Sequence, residues 1–212
     1  MPKVRAVLDV SERVTLMPVM SAVEGAFCRS TPWRTFARRT VLPWALDGYR
    51  ITGDVLEIGG GSGAMAEGVA RTFPDVRLTV TDIDEAMVRA ARARLVEQSG
   101  VNVQVADVTA LPFERARFDA VTSYLMLHHV IDWLDALAET ARVLRPGGAF
   151  VGYDLTDTRL ARWVHRADGS PHRILAPDEL HDGLVVAGFT DITISTSVSG
   201  HLMRFRASKP SR

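Results

Sequence analysis

Two hydrophobic rhythms take turns along the chain from Gly53 onward. Asp54-Val55-Leu56-Glu57-Ile58 is a short, largely apolar run that ends in glycines, which predicts a buried strand. Behind it, Ala66, Val69, Ala70 and Phe73 recur at i, i+3, i+4 and i+7, predicting a helix that Pro74 stops. Val76 to Thr81 reads as a second strand. Asp84 stands where an N-cap belongs, and Met87, Ala90, Ala91 and Leu95 form the stripe of the next helix. Val101 to Ala106 and Phe118 to Ser123 predict a third and a fourth strand. Leu134, Leu137, Ala138, Ala141 and Leu144 mark another helix, closed by a turn at Arg145-Pro146-Gly147-Gly148. Ala149 to Tyr153 is a fifth strand, and a last helix opens at Pro177 and closes at Gly188. Repeated units of this kind imply a parallel sheet covered on both faces.

The C-terminus breaks the rhythm. Ile192 and Ile194 alternate with Thr193 and Ser195, and Met203 and Phe205 alternate with Leu202, Arg204 and Arg206. Only about four to six residues around Ser199-Gly200 separate these runs, too few for a parallel crossover, so the two strands are antiparallel neighbours. The pattern therefore predicts an α/β, three-layer, doubly wound fold: a seven-stranded, mostly parallel sheet ending in an antiparallel hairpin. Two stretches stand outside it. Residues 13 to 50 carry short helical patterns, one opened by Thr31-Pro32 with Trp33, Phe36 and Ala37 following. Residues 155 to 176 are polar and irregular, with Trp163, His165 and His172. Both could fold over the carboxyl edge of the sheet.

Composition narrows the function classes. The 212 residues fit one domain, or one domain with an extension. Lys and Arg total 25 against 25 acids, so binding driven by phosphate neutralisation is not expected. No apolar run approaches the length of a membrane span, and the first ten residues lack the order of a secretory signal. The single cysteine, Cys28, forms no internal disulfide, which fits a reducing, cytoplasmic setting.

The chemistry concentrates at strand ends. Glycines in Val55-Leu56-Glu57-Ile58-Gly59-Gly60-Gly61-Ser62-Gly63 permit a tight turn and close approach of a ligand. Gly59-x-Gly61-x-x-Ala64 even satisfies a loose dinucleotide fingerprint. Asp82 ends the second strand, where a carboxylate can accept from both ribose hydroxyls of a nucleoside. Asp107-Val108 follows the third strand, pairing an acceptor for an exocyclic amine with an aliphatic surface for an adenine ring.

Taken in order, these motifs resemble those of the class I S-adenosylmethionine-dependent methyltransferases. E-I-G-G-G-S-G, T-D-I-D, A-D-V-T-A-L-P-F, F-D-A-V-T-S-Y-L-M-L-H-H-V and L-R-P-G-G look like the family's successive motifs, and the resemblance runs from Gly53 to Ala207. The terminal hairpin resembles the family's reversed seventh strand. The chain is most similar to the small-molecule branch, the type 11 enzymes related to ubiquinone and menaquinone biosynthesis. The resemblance implies a Rossmann-like methyltransferase domain over residues 51–212, preceded by a helical arm or lid over 1–50. It implies S-adenosylmethionine as cofactor, with Gly59 and Gly61 near its methionine part and Glu57 orienting the loop. Asp82 would take the ribose, Ile83 and Met87 would lie near adenine, Asp107 would meet the adenine amine and Val108 its face. Ser123 and Tyr124 would line the sulfonium. Gly60 stands where many members have cysteine or another small residue, a difference neutral to that role.

The cofactor carries its own activated methyl group, so few side chains need do chemistry and no metal is expected. His128 and His129 lie where a base could sit, or where packing needs them; Tyr153 and Asp154 also face the active edge. Arg34 and Arg38 could reach a carboxylate, an anionic acceptor or only solvent. Trp163, His165 and His172 could shape an acceptor pocket or hold their segment down. The expected activity is methyl transfer to a small molecule by in-line displacement. The alternatives are a non-catalytic S-adenosylmethionine binder and a nicotinamide-dependent oxidoreductase, the latter disfavoured by Asp107 and the hairpin. Base-amine methyltransferases typically carry N/D-P-P-Y/F after the fourth strand; Ser123-Tyr124-Leu125-Met126 stands there instead, so no nucleic-acid partner is expected. Acceptor identity and oligomeric state are not encoded in any of these motifs.

Overall fold

The computed structural model describes residues 35–158, 172–197 and 199–211, without the side chains of Ala37 and Arg38. Its strands are β1 (Asp54–Ile58), β2 (Arg77–Asp82), β3 (Val101–Val105), β4 (Phe118–Tyr124), β5 (Leu144–Leu155), β6 (Thr190–Thr196) and β7 (Leu202–Ser208). They form one sheet in the order β3-β2-β1-β4-β5-β7-β6. Strands β1 to β5 pair in parallel, while β7 runs antiparallel to both β5 and β6. The seven-stranded sheet and the reversed hairpin are those that the sequence pattern predicts.

Helices cover both faces. They are α1 (Leu42–Leu46), α2 (Ala64–Thr72), α3 (Glu85–Leu95), α4 (Trp133–Val143) and α5 (Pro177–Val186). On one face Val55, Val80, Ala120 and Val151 join the buried side chains of α1, α2 and α3 in a single apolar cluster. On the other, Leu56, Ile58, Val121 and Phe150 pack with Ala136, Leu137, Leu180 and Leu184 of α4 and α5. Alternation along each strand sends successive side chains to these two layers. Asp84 caps α3 as its position predicts, its carboxylate accepting from the Ala86 N–H at 2.7 Å.

Three local features differ from the pattern. The buried stripe of α4 is Trp133, Ala136, Leu137, Thr140 and Val143, and Leu134 is exposed. The cause is Gly183 on α5: a Cβ there would lie 2.1 Å from the Trp133 ring, so the glycine admits the indole and the helix turns to bury it. On α3, Val88 rather than Met87 enters the core beside Ala91 and Leu95. Arg145 to Gly148 is an irregularity inside β5 rather than a turn before it, with Leu144 paired to Phe118 and Ala149 paired to Ala120. Gly148 makes it possible, because a Cβ would stand 2.9 Å from the carbonyl oxygens of both Arg145 and Asp119.

The described part of the arm is helical, with Ala37–Val41 as a π-helical turn leading into α1. Leu42, Ala45 and Leu46 are buried, and Arg204 of β7 donates to the Trp44 carbonyl at 3.1 Å and pairs with Asp47 at 2.9 Å. The helix opening at Thr31-Pro32, with Trp33 and Arg34, lies outside the described residues, as do Trp163 and His165. Among the described residues no helix is long and apolar enough to cross a membrane.

Candidate active site

The strand order reverses at β1. Strands β2 and β3 lie to one side, β4 and β5 to the other, so the carboxyl ends of β1 and β4 border the switch-point crevice where open α/β sheets bind ligands. The glycine loop leaves β1 at that point. Gly59, Gly61 and Gly63 all have positive φ (60°, 53° and 80°), which an L side chain rarely tolerates. The loop is tied to the end of β2: the Gly60 N–H donates to the Thr81 carbonyl at 2.9 Å and the Gly61 N–H to Asp82 Oδ2 at 2.8 Å.

Each glycine has its own surroundings. Among the described residues nothing lies within 4 Å of a Cβ on Gly61, which leaves this part of the loop clear of them. A Cβ on Gly60 would lie 2.3 Å from Val80 Cγ1 and 3.1 Å from Glu57 Oε1, so Gly60 is a steric requirement of this chain and not a neutral difference. Gly59 is covered by Met126, whose Cγ would be 2.0 Å from a Cβ there. In the sequence Met126 carries no sign of this contact beyond its place within the fourth-strand motif.

Glu57 lies under this loop, 1 % exposed, and its carboxylate oxygens make no hydrogen bond with any described residue. Burial pushes its carboxyl up to about 8, and the Ala66 N–H, which falls short of a full hydrogen bond, opposes this only partly. Across the sheet Glu57 is in register with Thr122, and two residues further on Tyr124 is in register with Tyr153. The Tyr124 hydroxyl is likewise buried and unsatisfied among the described residues; burial first, then nearby Glu57, hold the phenol well above its ordinary value. Tyr124 and Tyr153 are 5.9 Å apart, and Trp44 of α1 packs edge-on to Tyr153 at 5.9 Å.

The other predicted residues fall around the same edge. Asp82 accepts from Gly61 N–H and, at 2.9 Å, from Asp84 N–H, so it positions the loop as well as facing the crevice. Burial raises its carboxyl, and these two amides act against the rise. Ile83 and Met87 are half-buried beside it. Asp107 is buried and accepts from both the Thr109 N–H (2.8 Å) and hydroxyl (2.7 Å), which fixes the carboxylate's orientation, and Val108 next to it is buried. Ser123 and Tyr124 send their side chains to opposite faces of the sheet, so they approach the edge from different layers.

Beyond β4 the chain turns sharply. Leu125 has φ of 57°, rare for a branched residue, and its N–H donates to the Tyr153 carbonyl at 2.8 Å. The turn carries His128 and His129, whose rings lie 4.0 Å apart. His128 Nδ1 is 2.5 Å from Asp154 Oδ1, with both side chains buried. Residue by residue the sequence offered both groups; their pairing across the β4–β5 edge is a tertiary fact.

A second charged cluster is of a different kind. At the amino ends of the strands, Asp54 pairs with Arg77 at 2.7 Å, Arg117 at 3.1 Å and Arg145 at 3.2 Å, and Arg145 also reaches Asp119 at 2.6 Å. The Arg77 hydrogen bond, helped by Arg145 and Arg117, holds the Asp54 carboxyl far below its ordinary range despite burial. It ties β1 to β2, β4 and β5 at the end opposite the crevice. Among the described residues no cluster of three or more His, Cys, Asp or Glu could hold a metal.

Comparison with known proteins gives the family. Residues 56–152 match the methyltransferase domain family. The ubiquinone/menaquinone biosynthesis C-methyltransferase UbiE of Pseudomonas putida is 30 % identical over 194 residues, covering 78 % of this chain and 76 % of that protein. UbiE of Desulfotalea psychrophila is 38 % identical over 104 residues, 49 % of this chain and 42 % of that one. The phosphoethanolamine N-methyltransferase 2 of Haemonchus contortus, solved in complex with S-adenosylmethionine, shares the fold with a TM-score of 0.66 at 19 % identity, covering 84 % of this chain and 60 % of that one. The chain belongs to the class I S-adenosylmethionine-dependent methyltransferases, in the type 11 branch. It is an enzyme of methyl transfer, and S-adenosylmethionine is its cofactor.

Proposed function

We propose that this enzyme methylates a small-molecule acceptor by direct in-line displacement at the β1–β4 crevice. The observation that carries the reading is Glu57. A buried carboxyl group without a hydrogen-bond partner among the described residues, under the glycine loop, is suited to ionise against a cationic amine such as the cofactor's own. When bound, the cofactor supplies an activated methyl group on a sulfonium centre.

On this reading Gly59 and Gly61 present the loop to the methionine part and Glu57 balances its ammonium. Asp82 keeps lone pairs for the ribose hydroxyls beyond its two backbone bonds. Ile83 and Met87 flank the adenine, Asp107 accepts from its amine, and Val108 packs on its face. Ser123 and Tyr124 border the sulfonium from the end of β4. The protein's contribution is then mainly alignment, which well-oriented systems place at up to about 7–11 kcal/mol. The arm over residues 1–50 acts as a lid on the domain over 51–212. A small acceptor is supported by the UbiE relatives, by zero net charge and by the lack of an amine-gripping motif after β4.

The test uses radiolabelled S-adenosylmethionine and an ultrafiltered bacterial metabolite extract. The reading predicts a labelled small molecule and no label on added RNA, duplex DNA or protein. Label appearing only on macromolecules would overturn it.

A further inference from the structure

The sheet ends in β3 on one side and β6 on the other, and the two edges are protected differently. At β3 the Ala106 N–H donates to the Asp82 carbonyl and the Gly100 carbonyl accepts from the Leu78 N–H, so Val101, Val103 and Val105 turn their backbone groups outward. The middle of that row is closed by Arg92 of α3, whose Nε donates to the Val103 carbonyl at 3.0 Å. A charged side chain laid over an edge blocks the approach of a further strand.

Strand β6 has no such guard. The Ser197 N–H donates to the Leu202 carbonyl at 2.7 Å, so Thr193, Ser195 and Ser197 turn toward β7, while Ile194 and Thr196 turn N–H and C=O outward. Among the described residues nothing pairs with those four groups. No Lys, Arg or Pro stands between Thr190 and Ser197. The one charge, Asp191, sits in the irregularity between Thr190 and Thr193, with φ of 50°, and leaves Thr193 to Thr196 regular. The neighbouring helix also leaves apolar surface at this edge. Gly183 of α5 meets Trp133 of α4, so Val185, about 200° further round the helix, lies on the side away from α4 and toward the edge. Val185 is 52 % exposed.

We propose that β6 is a contact between two copies of this chain, paired antiparallel about a two-fold axis at Ser195. That rotation sets Ile194 against Thr196 of the second copy and Thr196 against its Ile194, so the four outward groups of each copy meet in four hydrogen bonds. Ser195 faces Ser195 in a non-hydrogen-bonded pair, where small side chains suit a Cα separation of about 4.5 Å. Thr193 faces Ser197, so no charge opposes another across the ladder, and the two Asp191 stay more than about 20 Å apart, beyond a Debye length. Helix α5 packs on Ile192 and Ile194, so the two α5 helices approach to about 10 Å, the packing distance of helices, and Val185 of each is covered by the other. A second copy is the occupant this pattern selects: the strand is self-complementary under the rotation and offers no charge to a partner of opposite sign. The crevice lies three strands away beyond β7 and β5, so both sites stay open, and the proposal does not depend on the acceptor.

The test uses the full chain. Sedimentation equilibrium from about 1 to 200 µM is expected to show monomer and dimer in exchange, with a dissociation constant in the micromolar range that so short a contact gives. Thr196→Pro removes an outward donor and spares the β7 ladder; it is expected to weaken the dimer about 10-fold or more with an unchanged circular dichroism spectrum. Ser195→Cys in a Cys28→Ser background is expected to form a disulfide between copies on mild oxidation. Thr193→Cys in the same background, about 14 Å from its own copy, is expected not to. The cysteine pair decides whether or not Thr196→Pro folds. A wild type that stays monomeric at the highest concentration would overturn the proposal. So would a dimer that folded Thr196→Pro leaves intact, or one that cross-links through Thr193→Cys and not through Ser195→Cys.

Discussion

Replacing Glu57 with Gln tests the site through a property independent of activity. The folded protein holds the Glu57 proton up to about pH 8, whereas an ordinary carboxyl loses it near 4.5. Between those values the folded state binds more protons than the unfolded state, so the Glu57 contribution to stability falls as pH rises. At about 1.4 kcal/mol per pH unit, that interval sets a ceiling of about 5 kcal/mol. Water entry and local relaxation reduce the expected effect to about 2–3 kcal/mol. Gln is nearly isosteric and never ionises. The cofactor-free variant should match wild type near pH 5 and exceed it by about 2–3 kcal/mol near pH 8 in urea unfolding, since other titrations cancel in the difference. With S-adenosylhomocysteine the ordering should reverse, because its ammonium ionises Glu57 and the variant has no charge to offer. Wild-type binding near pH 7 should release close to one proton, read from titrations in two buffers of different ionisation heat, and the variant should release almost none. Parallel pH–stability curves for the two proteins would refute the reasoning.

Asp82→Ala should weaken S-adenosylhomocysteine binding by about 1–3 kcal/mol in isothermal titration, because it leaves the ribose hydroxyls and the Gly61 and Asp84 amides without their acceptor; an unchanged dissociation constant would remove Asp82 from the site. Gly60→Ala should destabilise the fold by about 1–3 kcal/mol through contact with Val80 Cγ1, and a double-mutant cycle with Val80→Ala should recover part of that cost. Additive effects would show that the loop moves instead. Amide exchange over residues 35–46 should slow when S-adenosylhomocysteine binds if the arm closes on the crevice, and identical exchange in both states would make it only packing.

Much of the fold was legible because it rests on local periodicity. Short apolar runs located the central strands and two-residue alternation the C-terminal ones, the short Ser199-Gly200 connection forced the antiparallel pair, and Asp84 announced its helix. The failures share a cause. Which face of α4 is buried depends on Gly183, fifty residues from Trp133 in the chain, and no window around α4 contains that information. Arg145 to Gly148 reads as a turn because its residues favour one, and only the close approach of the Asp119 carbonyl shows it to be an irregularity within a strand. At the site, glycines and strand-end acids were visible because their positions follow from the strands. The register of Glu57 with Thr122, the Met126 cover on Gly59 and the His128–Asp154 pair were not, because each joins residues brought together only by sheet formation.

The central claim is that the cofactor lies across the carboxyl ends of β1, β2 and β4 with its ammonium over Glu57. A crystal structure of the chain with S-adenosylhomocysteine tests it most directly. The account predicts the amine at the Glu57 side of the glycine loop, the ribose hydroxyls on Asp82, and the sulfur at the end of β4 facing the His128 turn. A ligand seated with its ribose away from Asp82, or with Glu57 still buried beneath an undisturbed loop and no amine near it, would contradict that claim.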